Sequence, residues 1–333
     1  MSRETKKENT RQLILSLLSE KGEPLGSVQI TQLLKDDGLE ISERSVRVYL
    51  SQLDEEGLTV SNGKKGRRIT DKGRNELKTA LLMNRVGYMS TKIDTMTYKM
   101  DFDLALRRGT VVINTAIVGR EVLLSRLGNI CRVFEQGYAM GRLVSLLRSG
   151  ERIGEILVPQ GMVGFCTVCS VTLNGVLLKH GIPTRSIFSG LLELDDGVPT
   201  RFSELINYDG SSVDPLQLFI RSRQTDYMGA ITNGNGRIGA GFREIPEDSY
   251  DLAVSLSEKL EGIGLGAFMK IGRPSRDVFN IPVSEGSCGV VVIGGLNPVA
   301  ILEETGAEVR HTALSGLMEY NSLFPYKELR ARL

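Results

Sequence analysis

The sequence is poor in the residues from which many catalytic and metal centres are built. In 333 residues it has two histidines, His180 and His311, and four cysteines, Cys131, Cys166, Cys169 and Cys288. Cysteine this sparse excludes a disulfide framework and points to a reduced, cytoplasmic setting. No apolar run approaches the roughly 18 residues of a membrane span. The most apolar stretch is short, around Val290–Ile293, and the amino terminus is polar rather than a secretory segment. Net charge is nearly absent too. The 41 Lys and Arg against 40 Asp and Glu leave +1, so no global field draws the chain to nucleic acid or membrane. No P-loop, nucleophile elbow or metalloprotease motif occurs. What is there is 41% hydrophobic residues, enough for two or three packed domains at this length.

Residues 1–80 read as three helices and a hairpin. Leu13, Ile14, Leu17 and Leu18 make the first apolar stripe, which stops near Gly22. The second helix starts at Ser27 as a capping residue, carries Ile30, Leu33 and Leu34, and stops at Gly38. The third has Ser42 as N-cap and the Ile41/Val46 spacing of a hydrophobic staple. Val46, Leu50 and Leu53 face inward and Gly57 ends it. Leu58–Val60, a turn at Asn62-Gly63, and Arg67–Ile69 form the hairpin.

This is the element order of a winged helix-turn-helix that binds double-stranded DNA. Arg44, Arg47 and Ser51 fall on one arc of the third helix, away from its apolar stripe and with Ser45 beside them. These side chains are placed to read base edges. Lys64, Lys65, Arg67 and Arg68, with no acid among them, are the wing cations for phosphates. The competing use of such a module is protein or RNA contact, as in the similar module at the start of ribonuclease R-type enzymes. Beyond it a helix runs from Thr70 to about Val86. Met89, Ile93, Met96 and Met100 then form a stripe that is either core or a dimer seam.

The remainder, 81–333, is duplicated, with copies over about 105–205 and 225–325. Val158-Pro159, Leu173-Asn174-Gly175-Val176, Gly181 with Arg185, and Ser189-Gly190-Leu191-Leu192-Glu193 recur in order. Their counterparts are Ile281-Pro282, Leu296-Asn297-Pro298-Val299, Gly306 with Arg310, and Ser315-Gly316-Leu317-Met318-Glu319. Thr110–Val118 and Tyr227–Thr232 read as matching strands ahead of helices near Glu121–Gln136 and Pro246–Glu261. The fold class is α/β (α+β): a winged helix followed by a pseudo-symmetric two-lobed body. The cleft between lobes is the expected ligand site. Its expected binding residues are Asn174/Asn297, Arg185/Arg310 to clamp an acid, and Ser189-Gly190/Ser315-Gly316 to offer loop amides, with His311 adjoining.

Two motifs imitate catalytic sites. Gly234–Gly239 matches G-x-G-x-x-G, but strand follows it, not the helix a dinucleotide site needs, so it reads as a glycine hairpin. Cys166-Thr167-Val168-Cys169 stands alone in an apolar run and reads as buried packing rather than metal ligation. No metal and no cofactor is expected, and no enzyme.

Residues 1–75, Val86-Gly87-Tyr88, Tyr98–Asp103, Gly109–Asn114 and the two Ser-Gly-Leu blocks resemble the archaeal nitrogen-regulation repressor family, NrpR. The resemblance implies a transcriptional repressor with an N-terminal winged helix, released from DNA by 2-oxoglutarate. Some members carry two regulatory domains in tandem, whereas this chain has room for one. The expected protein is a ligand-responsive, DNA-binding regulator and a homodimer, without membrane association. The rival reading is an α/β enzyme or nucleic-acid-processing protein with the winged helix as an accessory.

Overall fold

The computed structural model describes residues 3–36, 39–83, 88–266 and 268–333. The chain divides into two compact units between Val86 and Gly87.

In the first unit α1 (Arg3–Lys21), α2 (Ser27–Asp36) and α3 (Glu43–Glu55) precede a hairpin of β1 (Thr59–Ser61) and β2 (Arg67–Ile69), and α4 (Asp71–Met83) follows. Ser42 caps α3, its hydroxyl accepting the Ser45 N–H at 3.2 Å. Thr70 does the same for α4, accepting from Gly73 at 3.0 Å. Ser27 is not the cap expected of it. Its hydroxyl donates to Glu43 while Gln29 Oε1 meets the Gly26 N–H at 3.0 Å. Ile14, Leu18, Ile30, Leu34, Val46, Leu50 and Leu53 share one core. Leu13 is 40% exposed, and Leu15 takes its place inside.

The wing tip is longer than an Asn-Gly turn. Ser61 pairs with Arg67, so residues 62–66 span it, with a 3₁₀ turn over Gly63–Lys65. Gly66 has φ +105, and a Cβ there would fall 2.3 Å from the Leu25 backbone. The close approach arises because Leu25 bridges to Arg67 as a third, one-residue strand. Gly38, read as the stop of α2, and Val86, read as the end of the following helix, lie outside the described residues.

The second unit opens with α5 (Tyr88–Lys99). The first repeat follows as β3 (Thr110–Gly119), α6 (Arg120–Glu135), β4 (Leu143–Leu147), a small hairpin of β5 (Arg152–Ile153) and β6 (Ile156–Leu157), β7 (Met162–Val168), α7 (Val171–Lys179) and β8 (Arg185–Asp195). β9 (Val198–Asn207), α8 (Pro215–Arg221) and α9 (Tyr227–Asn233) intervene. The second repeat is β10 (Gly236–Pro246), α10 (Tyr250–Gly262), β11 (Phe268–Ile271), β12 (Ser287–Ile293), α11 (Asn297–Glu304) and β13 (Arg310–Glu319), trailed by β14 (Phe324–Pro325) and α12 (Leu329–Arg332). Small hairpin aside, both copies run β-α-β-β-α-β, the split βαβ order.

The two copies exchange their last strands. One sheet runs β11-β12-β10-β8-β9 and the other β13-β3-β7-β4-β14. The first repeat thus closes the second repeat's sheet with β8, and the second returns β13. All pairings are antiparallel, β10 lying between β8 and β12 as β3 lies between β13 and β7. The lobes are therefore not contiguous in sequence, as the reading of two separate copies had implied.

Two further expectations are corrected here, and one open choice is decided. Tyr227–Thr232 is helix α9, capped by Asp226, and β10 is the strand that matches β3. Gly234 is not part of a hairpin but the left-handed end of α9, at φ +81. The methionine stripe is core: Met89, Ile93 and Met100 are at most 3% exposed and Met96 packs beside them. A Cβ on Gly175 of α7 would come within 2.4 Å of Met100 Cε, so this seam is already filled by the chain itself.

Candidate DNA-binding face and effector cavity

The outer face of α3 carries Arg44, Arg47, Val48 and Ser51, all exposed. Arg44 makes no ion pair among the described residues, and neither do Lys64, Lys65 or Arg68 of the wing. Arg47 is held from behind. Its Nη2 lies 2.6 Å from Glu43 Oε1 and its Nε donates to the same oxygen at 3.1 Å. The hydrogen bond from Ser27, and then the one from Arg47, draw the Glu43 carboxyl below its ordinary range. The pair restricts Arg47 to few rotamers before any ligand arrives.

Two residues in the expected set have other work. Arg67 Nε is bonded to Asp54 at 2.6 Å, and the same carboxylate takes the Thr59 hydroxyl, so Arg67 ties the wing to α3 rather than facing phosphate. Ser45 is half-buried and its hydroxyl lies 2.9 Å from that of Ser42, within the cap.

In the second unit the duplicated residues do not converge. Ser189-Gly190 and Ser315-Gly316 are strand residues of β8 and β13, not loop amides. Glycine is required at 190 because a Cβ would strike Glu204 O of β9 at 2.3 Å. Asn297 is fully buried, donating to Tyr138 O and Gly239 O at 2.8 and 2.9 Å, and Asn174 donates to Ser186. Arg185 bonds Glu244 and Ser284, whereas Arg310 is exposed at the start of β13. His311 is completely buried near Glu303, and burial pushes its imidazole down to about 4.

A different set does converge. Strand register matches the copies residue by residue: Ile113 opposes Gly316 and Val168, as Ala240 opposes Gly190 and Ile293. Ile113 therefore corresponds to Ala240 and Asn114 to Gly241. Likewise Cys169-Ser170 after β7 corresponds to Gly294-Gly295 after β12. All six of these last residues line one small cavity of about 20 Å³, so it sits on the pseudo-twofold axis. Ser189, Tyr208 and Asp214 add polar side chains to its wall, and Leu216, Leu296 and Ala313 close it.

The charges around it are unusual. Arg243, the register mate of Ala116, is 1% exposed and makes no ion pair among the described residues. It donates to Ser170 O and Ser170 Oγ, both at 2.9 Å, and its Nε has no partner. Burial lowers its pKa, which measures the cost of holding a cation without an acid. Lys92 of α5 donates to Ala313 O at 3.2 Å and is likewise lowered by burial. Asp214 caps α8 through the Gln217 N–H at 3.1 Å, and burial pushes it up to about 6.

A raised folded pKa contributes stability that is full below the ordinary value and lost as pH rises through the folded one. Asp214→Asn, which keeps the capping oxygen, should therefore match wild type near pH 4. It should exceed wild type by about 3 kcal/mol near pH 7, the worth of about two pKa units. Urea melts of both proteins at the two pH values measure this, and a pH-independent difference contradicts it.

The buried Cys166 and Cys169 thiols are pushed up to about 12 and about 11 by burial, which makes them packing groups rather than nucleophiles. No helix among the described residues is long and apolar enough to cross a membrane.

A winged helix joined to this duplicated body defines a transcriptional regulator and not an enzyme. More narrowly, the chain belongs to the NrpR family. A family model described as NrpR regulatory domains NRD1 and 2 matches residues 86–325, and one described as the ribonuclease R winged-helix domain matches 12–77. The chain is 32% identical to Global nitrogen regulator NrpRI of Methanosarcina mazei over 93% of its own length and 95% of that protein. It is 33% identical to Global nitrogen regulator NrpR of Methanococcus maripaludis over 93% of its length, but spans only 54% of that longer relative. A crystal structure of a nitrogen repressor-like protein from Methanococcus jannaschii superposes with a TM-score of 0.58 at 25% identity, over 71% of this chain and 97% of that one.

Proposed function

We propose that the chain is a repressor that occupies double-stranded operator DNA as a homodimer and is released by a small dicarboxylate such as 2-oxoglutarate. The observation that carries the reading is Arg243, a buried guanidinium with no ion pair among the described residues, bonded to Ser170 of the cavity lining as Lys92 is to Ala313. Two desolvated cations bonded to that lining suit two carboxylates, and a charge-assisted pair would supply what Arg243 lacks. At about 20 Å³ the cavity holds no more than a water, so the effector selects an opened form. It then moves DNA binding only by its preference for that form, typically about 1–3 kcal/mol of coupling.

The test is a gel shift of the full chain on its own upstream DNA, with and without 2-oxoglutarate, beside light scattering of the free protein. Release by the effector and a dimer at micromolar concentration are expected. A complex indifferent to every small dicarboxylate removes the effector, and equal binding to single-stranded RNA removes the operator.

A further inference from the structure

The geometry points to a second ligand site: the groove between α5, the start of β8 and the end of β10 binds a free α-amino acid as its zwitterion.

The groove has a volume of about 590 Å³, within the range of small-molecule sites. Its floor is built rather than incidental. Glu244 has a side-chain exposure of only 7%, and its carboxylate accepts the Ser284 N–H at 2.8 Å and the Ser284 hydroxyl at 3.0 Å. The same carboxylate holds Arg185 through one nitrogen of its guanidinium. Arg185 is otherwise 68% exposed, and its Nε and Nη1 have no partner among the described residues. Nη2 belongs to both bidentate edges of the guanidinium and is already engaged, so Nε and Nη1 remain to give a carboxylate single charge-assisted bonds.

The opposite wall carries the other sign. Among the described residues Asp94 makes no ion pair, and Asp209 accepts the Ser90 hydroxyl at 2.8 Å. With Arg185 and Glu244 neutralising each other, these two aspartates leave the lining at about −2. That charge excludes a dicarboxylate and favours an ammonium group. A second observation points the same way. Thr184 Oγ1 on the lining is buried without a hydrogen-bond partner among the described residues, a hydroxyl left for a ligand to satisfy. An α-amino acid supplies an ammonium and a carboxylate at a fixed short separation, and the groove offers the matching pair of walls.

The experiment is a thermal-shift screen of the full chain against the standard L-amino acids at millimolar concentration, followed by calorimetry on the strongest. At least one is expected to bind. Its N-acetyl derivative, without the ammonium, and its carboxamide, without the carboxylate, should each lose about tenfold or more, the worth of one charge-assisted bond. Asp94→Asn, at an exposed position, should lose as much while melting like wild type, and Arg185→Gln should lose as much with a lower melt, because Glu244 loses its counter-ion. Two results overturn the proposal: no amino acid shifts the melt or gives heat, or the decarboxylated amine binds as well as the acid. Neither touches the Arg243 cavity, whose response to 2-oxoglutarate is read by gel shift in the same variants.

Discussion

Arg243→Gln is expected to bind operator like wild type and to remain bound at 2-oxoglutarate concentrations that release the wild-type protein. Truncating one partner of a buried, hydrogen-bonded charge pair costs about 2–5 kcal/mol, so effector affinity should fall by about thirtyfold to several thousandfold. The usual objection to mutating a buried arginine is loss of the fold. Here that loss is offset. Arg243 has no acid to lose, its Nε is unpartnered, and burial already disfavours its charge. Glutamine is too short to keep the bonds to Ser170, but a neutral side chain removes a desolvated ion, and these offset, so the melting temperature should change little. Calorimetry of the effector on both proteins, beside a melt, separates the two effects. Unchanged effector affinity in a folded variant would sink the cavity as the effector site while leaving the regulator intact.

The second large effect concerns the reading head. Arg44→Ala should cost about 1–3 kcal/mol on the cognate operator and flatten discrimination at one base pair. Arg44 is the guanidinium of α3 that makes no ion pair among the described residues, so none of them competes for it. Arg47→Ala is expected to act in the same direction but by less, because DNA must compete with Glu43 for its nitrogens. The paired change Lys64→Ala and Lys65→Ala should weaken all sequences alike and lower the salt slope by about 2, one unit for each lost phosphate contact. Titrations at several salt concentrations on cognate and scrambled duplexes read all three. Full specificity in Arg44→Ala would show that α3 is not the base reader.

Much of the winged helix is local chemistry, and local chemistry is legible. Ser42 caps α3 because a hydroxyl one residue before an apolar stripe has little else to do, and Val46, Leu50 and Leu53 follow at helical spacing. Where two registers compete, sequence is weaker: Leu13 and Leu15 flank the same stripe, and only packing sends Leu15 inward. Arg67 reads as one more wing cation until the fold brings Asp54 against it.

The body shows a different limit. Short matching blocks reveal which segments correspond, yet correspondence says nothing about which strands pair. A search for duplicated residues also misdirects. The cavity lies on the axis, but its charge is asymmetric: Arg243 faces Ala116 across the symmetry, and Lys92 lies outside the repeat altogether. The available signal was a lone arginine inside the β10 run Gly-Ala-Gly-Phe-Arg-Glu-Ile, a charge where a buried strand has no use for one.

Exchange of β8 and β13 fixes the order in which the second unit can be made. During synthesis, the sheet of β3, β4 and β7 leaves its β3 edge bare until residues 310–319 have been released from the ribosome. The body therefore completes itself only when nearly the whole chain exists, and a product truncated before Arg310 carries an open strand edge that invites aggregation. Once closed, the same exchange acts as a clasp. A single protease cut between β9 and β10 leaves each fragment threaded into the other's sheet, so the halves stay together without the peptide bond that joined them.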